Sequence, residues 1–140
     1  GMDPAVFAQF GADLDRDYAG TLDRFLALEA QGSDRMRAEL RLLREQVHAV
    51  GDPAPRALAE GLAILHGADL RAGLPTLAMP SLWIAGRRDR LVAPAALHAA
   101  AALAPGGLAI EIAGAGHAPF LTHADEVASS LDRFAATLPP

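Results

Sequence analysis

SLWIAGRRDRLVAPAALHAAAALAPGGLAIEIAGAGHAPF, residues 81–120, decides the fold. Two short apolar runs, SLWIAG (Ser81–Gly86) and LAIEIAG (Leu108–Gly114), flank the strongly helical APAALHAAAALAP of residues 93–105. Strand, helix, strand within about 30 residues is a βαβ unit, which implies parallel pairing and a right-handed crossover. Near-continuous apolar strands belong in the middle of a sheet covered on both faces. Two parallel strands are too few for an independent sheet. The stretch therefore reads as the end of a larger α/β domain.

Chemistry in open α/β sheets gathers outside the carboxyl ends of the strands. Asp89 follows the first run and His117 follows the second, so both are expected at one sheet edge on neighbouring loops. A carboxylate that accepts from one imidazole nitrogen fixes the tautomer and leaves the other as a base. Asp89 is also a residue type common in turns, and a loop histidine also serves structure, so both readings stay open on spacing alone. His48 and His66 fall near helix ends, where a cation suits the helix dipole. His98 falls inside a helix, and His123 is expected to be solvated at a helix start. None of these has metal-ligand spacing.

Upstream, the grammar is helical. Asp3-Pro4 supplies a cap and a proline at the first helical position. A second helix is expected over Asp17–Glu29, stopping at Gly32. Ser33 is expected to cap DRMRAELRLLREQVHAV, with Met36, Leu40, Leu43 and Val47 on one stripe and Gly51 as the stop. Asp52-Pro53 opens a fourth helix through Leu58, Leu62 and Leu65, ended by Gly67. Downstream, a last helix is expected over Ala124–Leu138, capped by Thr122, with Val127, Leu131 and Phe134 on its inner stripe.

The chain has 140 residues, of which 51% are hydrophobic and 21% charged, as in a globular domain. Cysteine is absent, which excludes disulfides, thiol catalysis and cysteine-held metals. A net charge of −5 argues against nucleic acid as a partner. All 12 basic residues are arginine. No apolar run approaches the ~20 residues of a membrane span, and GMDPAVF lacks the regions of a secretion signal. A cytoplasmic setting is the expectation.

At the two loops the sequence resembles the α/β-hydrolase family. GRRDRLV looks like its acid turn and GAGHAPF like its histidine loop. The similarity is closest to the branch of carboxylesterases that cleave the methyl ester of pimeloyl-acyl carrier protein in biotin biosynthesis. DRFLALEAQGSDRMRAELRLL looks like part of that branch's four-helix lid, and GLAILHGADLRAGLPTLAMPSLWIAGRRDRLV like the return from lid to sheet.

The resemblance implies the C-terminal part of an α/β-hydrolase fold, with a lid over residues 1–67 and a β-α-β-α unit over residues 68–140. It implies that Asp89 orients the base and that His117 is the general base and acid. Arg24, Arg37 and Arg41 fall on lid positions that face the acidic carrier protein; a further basic position falls on Gly20 here. Arg37 and Arg41 stand four apart on one helix face, although an arginine-rich helix face is often only solvated. Phe10 and Phe25 match aromatics of the acyl channel; ordinary helix packing is the competing reading.

The family's nucleophile stands in a G-x-S-x-G turn. The serines here, at 33, 81, 129 and 130, are in no such turn. The expectation is a carboxylesterase part without its nucleophile, inactive alone, using no cofactor or metal. It would either self-associate or join a missing N-terminal half. The alternatives are a non-catalytic lid module that binds an acyl carrier protein, and an esterase of other specificity.

Overall fold

The computed structural model describes residues 4–51 and 55–139. Asp3, the expected cap of the first helix, and the expected Asp52-Pro53 start of the fourth lie outside the described residues. Four helices come first: α1 (Pro4–Arg16), α2 (Tyr18–Glu29), α3 (Met36–Val50) and α4 (Pro55–Gly67). α1 packs on α2 and α4, and α2 packs on α3. Asp17 caps α2, its carboxylate accepting the Gly20 N–H at 3.0 Å. That donor is one of the amides a helix start otherwise leaves unpaired.

A 3-10 turn at Arg71–Thr76 leads into β1 (Ser81–Gly86), α5 (Pro94–Ala101) and β2 (Gly107–Ile112). The strands pair in parallel, Ser81 opposite Gly107 through Gly86 opposite Ile112, with α5 packed on both. A short helix α6 (Pro119–Thr122) and the final α7 (Ala124–Ala135) follow. The β-α-β-α expectation is met, with the two short helical turns added.

Several local expectations are corrected. Ser33 does not cap α3. Its hydroxyl accepts the Arg35 N–H at 3.2 Å and so closes a turn ahead of the helix. Thr122 does not cap α7 either, because it ends α6 and its hydroxyl points to Glu39. β2 stops at Ile112, since the chain turns at Gly114. Leu131 is half exposed, and Ser130 takes the buried place, its hydroxyl donating to the Glu126 carbonyl. Leu65 is 70% exposed, so the expected α4 stripe ends at Leu62.

The core is small. Among the described residues, its apolar members are Leu26, Ile112 and six alanines at 30, 85, 101, 104, 115 and 118. Leu70 and Met79 stand 77% and 68% exposed. The accessible surface is 9097 Å², against about 6,900 Å² for a compact monomer of this mass. Both outer edges of the two-stranded sheet are unpaired among the described residues.

Candidate active site

The turn after β1 is closed by the Asp89 N–H, which donates to the Gly86 carbonyl at 3.1 Å. One carboxylate oxygen of Asp89, Oδ1, then accepts the N–H groups of Leu91 at 2.8 Å and Val92 at 2.9 Å. The turn reading of Asp89 is therefore correct, and it does not compete with the other. The second oxygen, Oδ2, is left facing the histidine loop and lies 2.8 Å from His117 Nδ1.

The loops meet because the strands keep pairing as they end. The Arg87 N–H donates to the Ile112 carbonyl at 3.0 Å and the Arg88 N–H to the Ala115 carbonyl at 2.9 Å. Gly114, at φ +82°, turns the chain back toward β1 in a conformation that suits glycine. Gly86 faces the backbone of Ala115 and Gly116 so closely that a Cβ there would overlap the Gly116 carbonyl oxygen.

The Asp89 side chain is 6% exposed and that of His117 35%. The carboxylate is thus dry while the ring reaches solvent. An ionised carboxylate only accepts, so Nδ1 of His117 carries the proton and Nε2 is the bare nitrogen. Such a ring can take a proton from an acidified hydroxyl at Nε2 while Asp89 stabilises the resulting cation.

Glu29, at the end of α2, is a third carboxyl in this neighbourhood. Burial lifts it above the ordinary glutamate range; Glu39 and Asp89 push the same way and His117 opposes them. Glu29 carries no motif, and helix periodicity gives no sign of its nearness to His117.

The lid residues fall into two separate groups. Phe10 and Phe25 pack with ring centroids 5.1 Å apart. With Arg24, Thr21 and Leu28 they line an open hollow of about 370 Å³ between α1 and α2. Arg24 donates to the Thr21 hydroxyl at 2.8 Å and lies 3.6 Å from the Asp17 carboxylate. Arg37 and Arg41 line a different, shallow hollow along α3, together with Arg44 and His48. Arg24 is therefore not gathered into that hollow. Arg44 and His48 continue the Arg37–Arg41 spacing along the helix, a signal that was present in the sequence but missed. Arg44 is also held by Asp23 through two bonds of 2.6 and 2.8 Å. Gly20 stands at the start of α2 as the amide partner of Asp17.

His123 departs from expectation. It is 2% exposed, not solvated, with Nε2 3.2 Å from Asp34 and Nδ1 3.1 Å from the Thr122 hydroxyl. No helix among the described residues is long and apolar enough to cross a membrane.

Relatives and solved structures agree with this architecture. The chain is 60% identical over 139 residues to a pimeloyl-(acyl-carrier protein) methyl ester esterase of Stenotrophomonas maltophilia, covering 99% of this chain and 54% of that protein. It is 63% identical over 134 residues to the protein of the same name in Xanthomonas campestris, covering 96% and 53%. The chain thus spans about half the length of the curated relatives it matches. Among solved structures, a bromoperoxidase from Bacillus anthracis superposes with a TM-score of 0.85 at 23% identity, covering 97% of this chain and 50% of that one. An esterase from Exiguobacterium antarcticum does so with a TM-score of 0.82 at 19% identity, covering 98% and 50%. Both share the fold. The sequence profile described as the Alpha/beta hydrolase family matches residues 2–130, and the chain belongs to that family.

Proposed function

We propose that Asp89 and His117 are the acid and base of a serine carboxylesterase, and that its substrate is the methyl ester of pimeloyl-acyl carrier protein. The observation that carries the reading is the 2.8 Å bond from His117 Nδ1 to a dry carboxylate, which leaves Nε2 free to act. The names of the 60–63% identical relatives support the substrate.

No G-x-S-x-G occurs in these 140 residues, so the nucleophile would come from the half of the relatives that this chain does not match. Serine attacks the ester carbonyl as its proton passes to His117 Nε2. His117 then gives that proton to the departing methanol, and water cleaves the acyl-enzyme by the reverse route. Backbone N–H groups that hold the oxyanion would come from the same unmatched half. No cofactor enters this scheme, and a cytoplasmic setting suits it.

In this reading residues 1–67 form a lid and residues 68–140 belong to the C-terminal part of the core. Phe10 and Phe25 would line the acyl chain, and Arg24, Arg37 and Arg41 would meet the carrier protein. The test compares the chain alone, the chain joined to the unmatched half of the Stenotrophomonas relative, and that fusion with His117→Ala. Hydrolysis of the carrier-bound methyl ester is expected only in the second. Asp89→Asn in the fusion should lower kcat by about 10⁴-fold. Hydrolysis by the chain alone that survives alanine at all four serines and is lost with His117→Ala would overturn the serine mechanism.

A further inference from the structure

We propose that Asp34, in the turn between α2 and α3, is a positioning residue for His117: it grips the histidine loop at both ends, at Gly114 through its backbone and at His123 through its carboxylate. The inference rests on the reading of His117 as the base.

The contacts bracket the base. The Asp34 N–H donates to the Gly114 carbonyl at 2.9 Å, just before the loop. Asp34 Oδ1 lies 3.2 Å from His123 Nε2, just after α6. His117 stands between these two points. An ionised carboxylate only accepts, so the His123 ring donates to it. His123 is 2% exposed, and its other nitrogen meets the Thr122 hydroxyl. That hydroxyl in turn donates to Glu39 Oε2 at 3.3 Å, and Glu39 is wholly buried on α3. The neighbouring Arg35 adds a bond from its guanidinium to the Thr122 carbonyl. The same turn faces the acid loop, with Gly32 close against the Arg88 carbonyl.

The chain links the helical layer to the sheet in sequence only through α4 and the 3-10 turn. Asp34 makes a second, non-covalent link, and it ends on the loop that carries His117. Each bond of this chain that ends on a buried atom favours one geometry, because breaking it leaves an unpaired polar group in the interior, where Glu39 Oε1 already has no partner. Misplacing a reacting group by about 1 Å can cost on the order of 10²-fold in rate, so a grip on both ends of a short loop has kinetic weight.

The experiment uses the 140-residue chain itself. The far-downfield proton NMR signal of His117 Nδ1–H reports the bond to Asp89, and its exchange with solvent reports how often the loop opens. Asp34→Ala should speed that exchange at least about tenfold, and speed exchange of the Arg88 amide with it. Asp34→Asn keeps an oxygen acceptor for His123 and should stay within about threefold of the parent. Asp34 has an exposed side chain, so its truncation is compatible with folding; Asp34→Ser replaces Asp34→Ala if that variant does not fold. Unchanged His117 exchange in the truncated variant, or equal acceleration in Asp34→Asn, overturns the proposal. Neither readout needs a substrate. The grip can therefore fail while His117 remains the base, and the His117→Ala fusion assay tests that role separately.

Discussion

Gly86 and Gly116 meet backbone to backbone, and the space between them is too small for a methyl group. This approach lets the two strand-end loops run side by side and brings Asp89 within 2.8 Å of His117. Gly86→Ala would force a backbone shift, since the obstacle is a carbonyl and not a movable side chain. Overpacking of this kind costs about 1–3 kcal/mol. The expected outcome is a lower urea midpoint with an unchanged m-value, and loss of the His117–Asp89 proton signal.

Glu29 gives a pH prediction. Its carboxyl is raised, first by burial, so the folded state holds that proton more tightly than the unfolded state does. The resulting stability is full below the ordinary glutamate range and is lost as pH rises through the raised value. Glu29→Gln should therefore leave stability nearly unchanged at about pH 4 and increase it at about pH 7. The side chain is only partly shielded, so solvent screening limits the gain to a few tenths of a kcal/mol. Urea unfolding of both proteins at the two pH values checks it; a variant that is less stable at the higher pH contradicts it.

The arginine stripe of α3 makes a prediction about binding. Arg37→Glu together with Arg41→Glu should weaken carrier-protein binding by the fusion enzyme. Each exposed pair contributes about 0.2–1 kcal/mol, and the effect should shrink as salt is raised. Arg44→Glu behaves differently, because Arg44 ties α3 to α2 through two short bonds to Asp23, whereas Arg41 has only an exposed 3.9 Å pair with Glu45 on its own helix. It should lower thermal stability as well. Titration calorimetry against the carrier protein at low and high salt measures the first effect, and binding unaltered by the double reversal refutes it.

The chain alone should self-associate. Its surface is larger than a compact monomer's, and among the described residues its buried apolar side chains are mostly alanine and its strands have unpaired outer edges. Light scattering at micromolar concentration should give a mass above 14.5 kDa. A monodisperse monomer with a cooperative unfolding transition would be the contrary result.

The βαβ unit was legible because it is local. Each strand is a short apolar run beside glycine, and the crossover helix lies between them, so the edge that gathers Asp89 and His117 followed from chain order. Helix caps were less legible. Ser33 and Thr122 are the right residue types in the right places, but each is used by a turn or a distant helix, which propensity does not see. His123 was misread for a similar reason. A histidine at a helix start looks solvated until Asp34, from a different layer, is seen to cover it. Glu29 and Glu39 gave no signal, since their burial is set by loops far off in sequence.

The Asp34–Gly114 contact also has a schedule. On a ribosome the α2–α3 turn is made well before the loop that it grips. At about 5–20 residues per second, the turn waits on the order of 10 seconds for its partner. During that interval α3 has made Glu39, yet the Thr122 hydroxyl that will bond it does not exist. The helical layer is then least protected from premature association with other nascent chains. Its dependence on so distant a contact makes synthesis of the Gly114–His123 stretch the point at which His117 is locked into place.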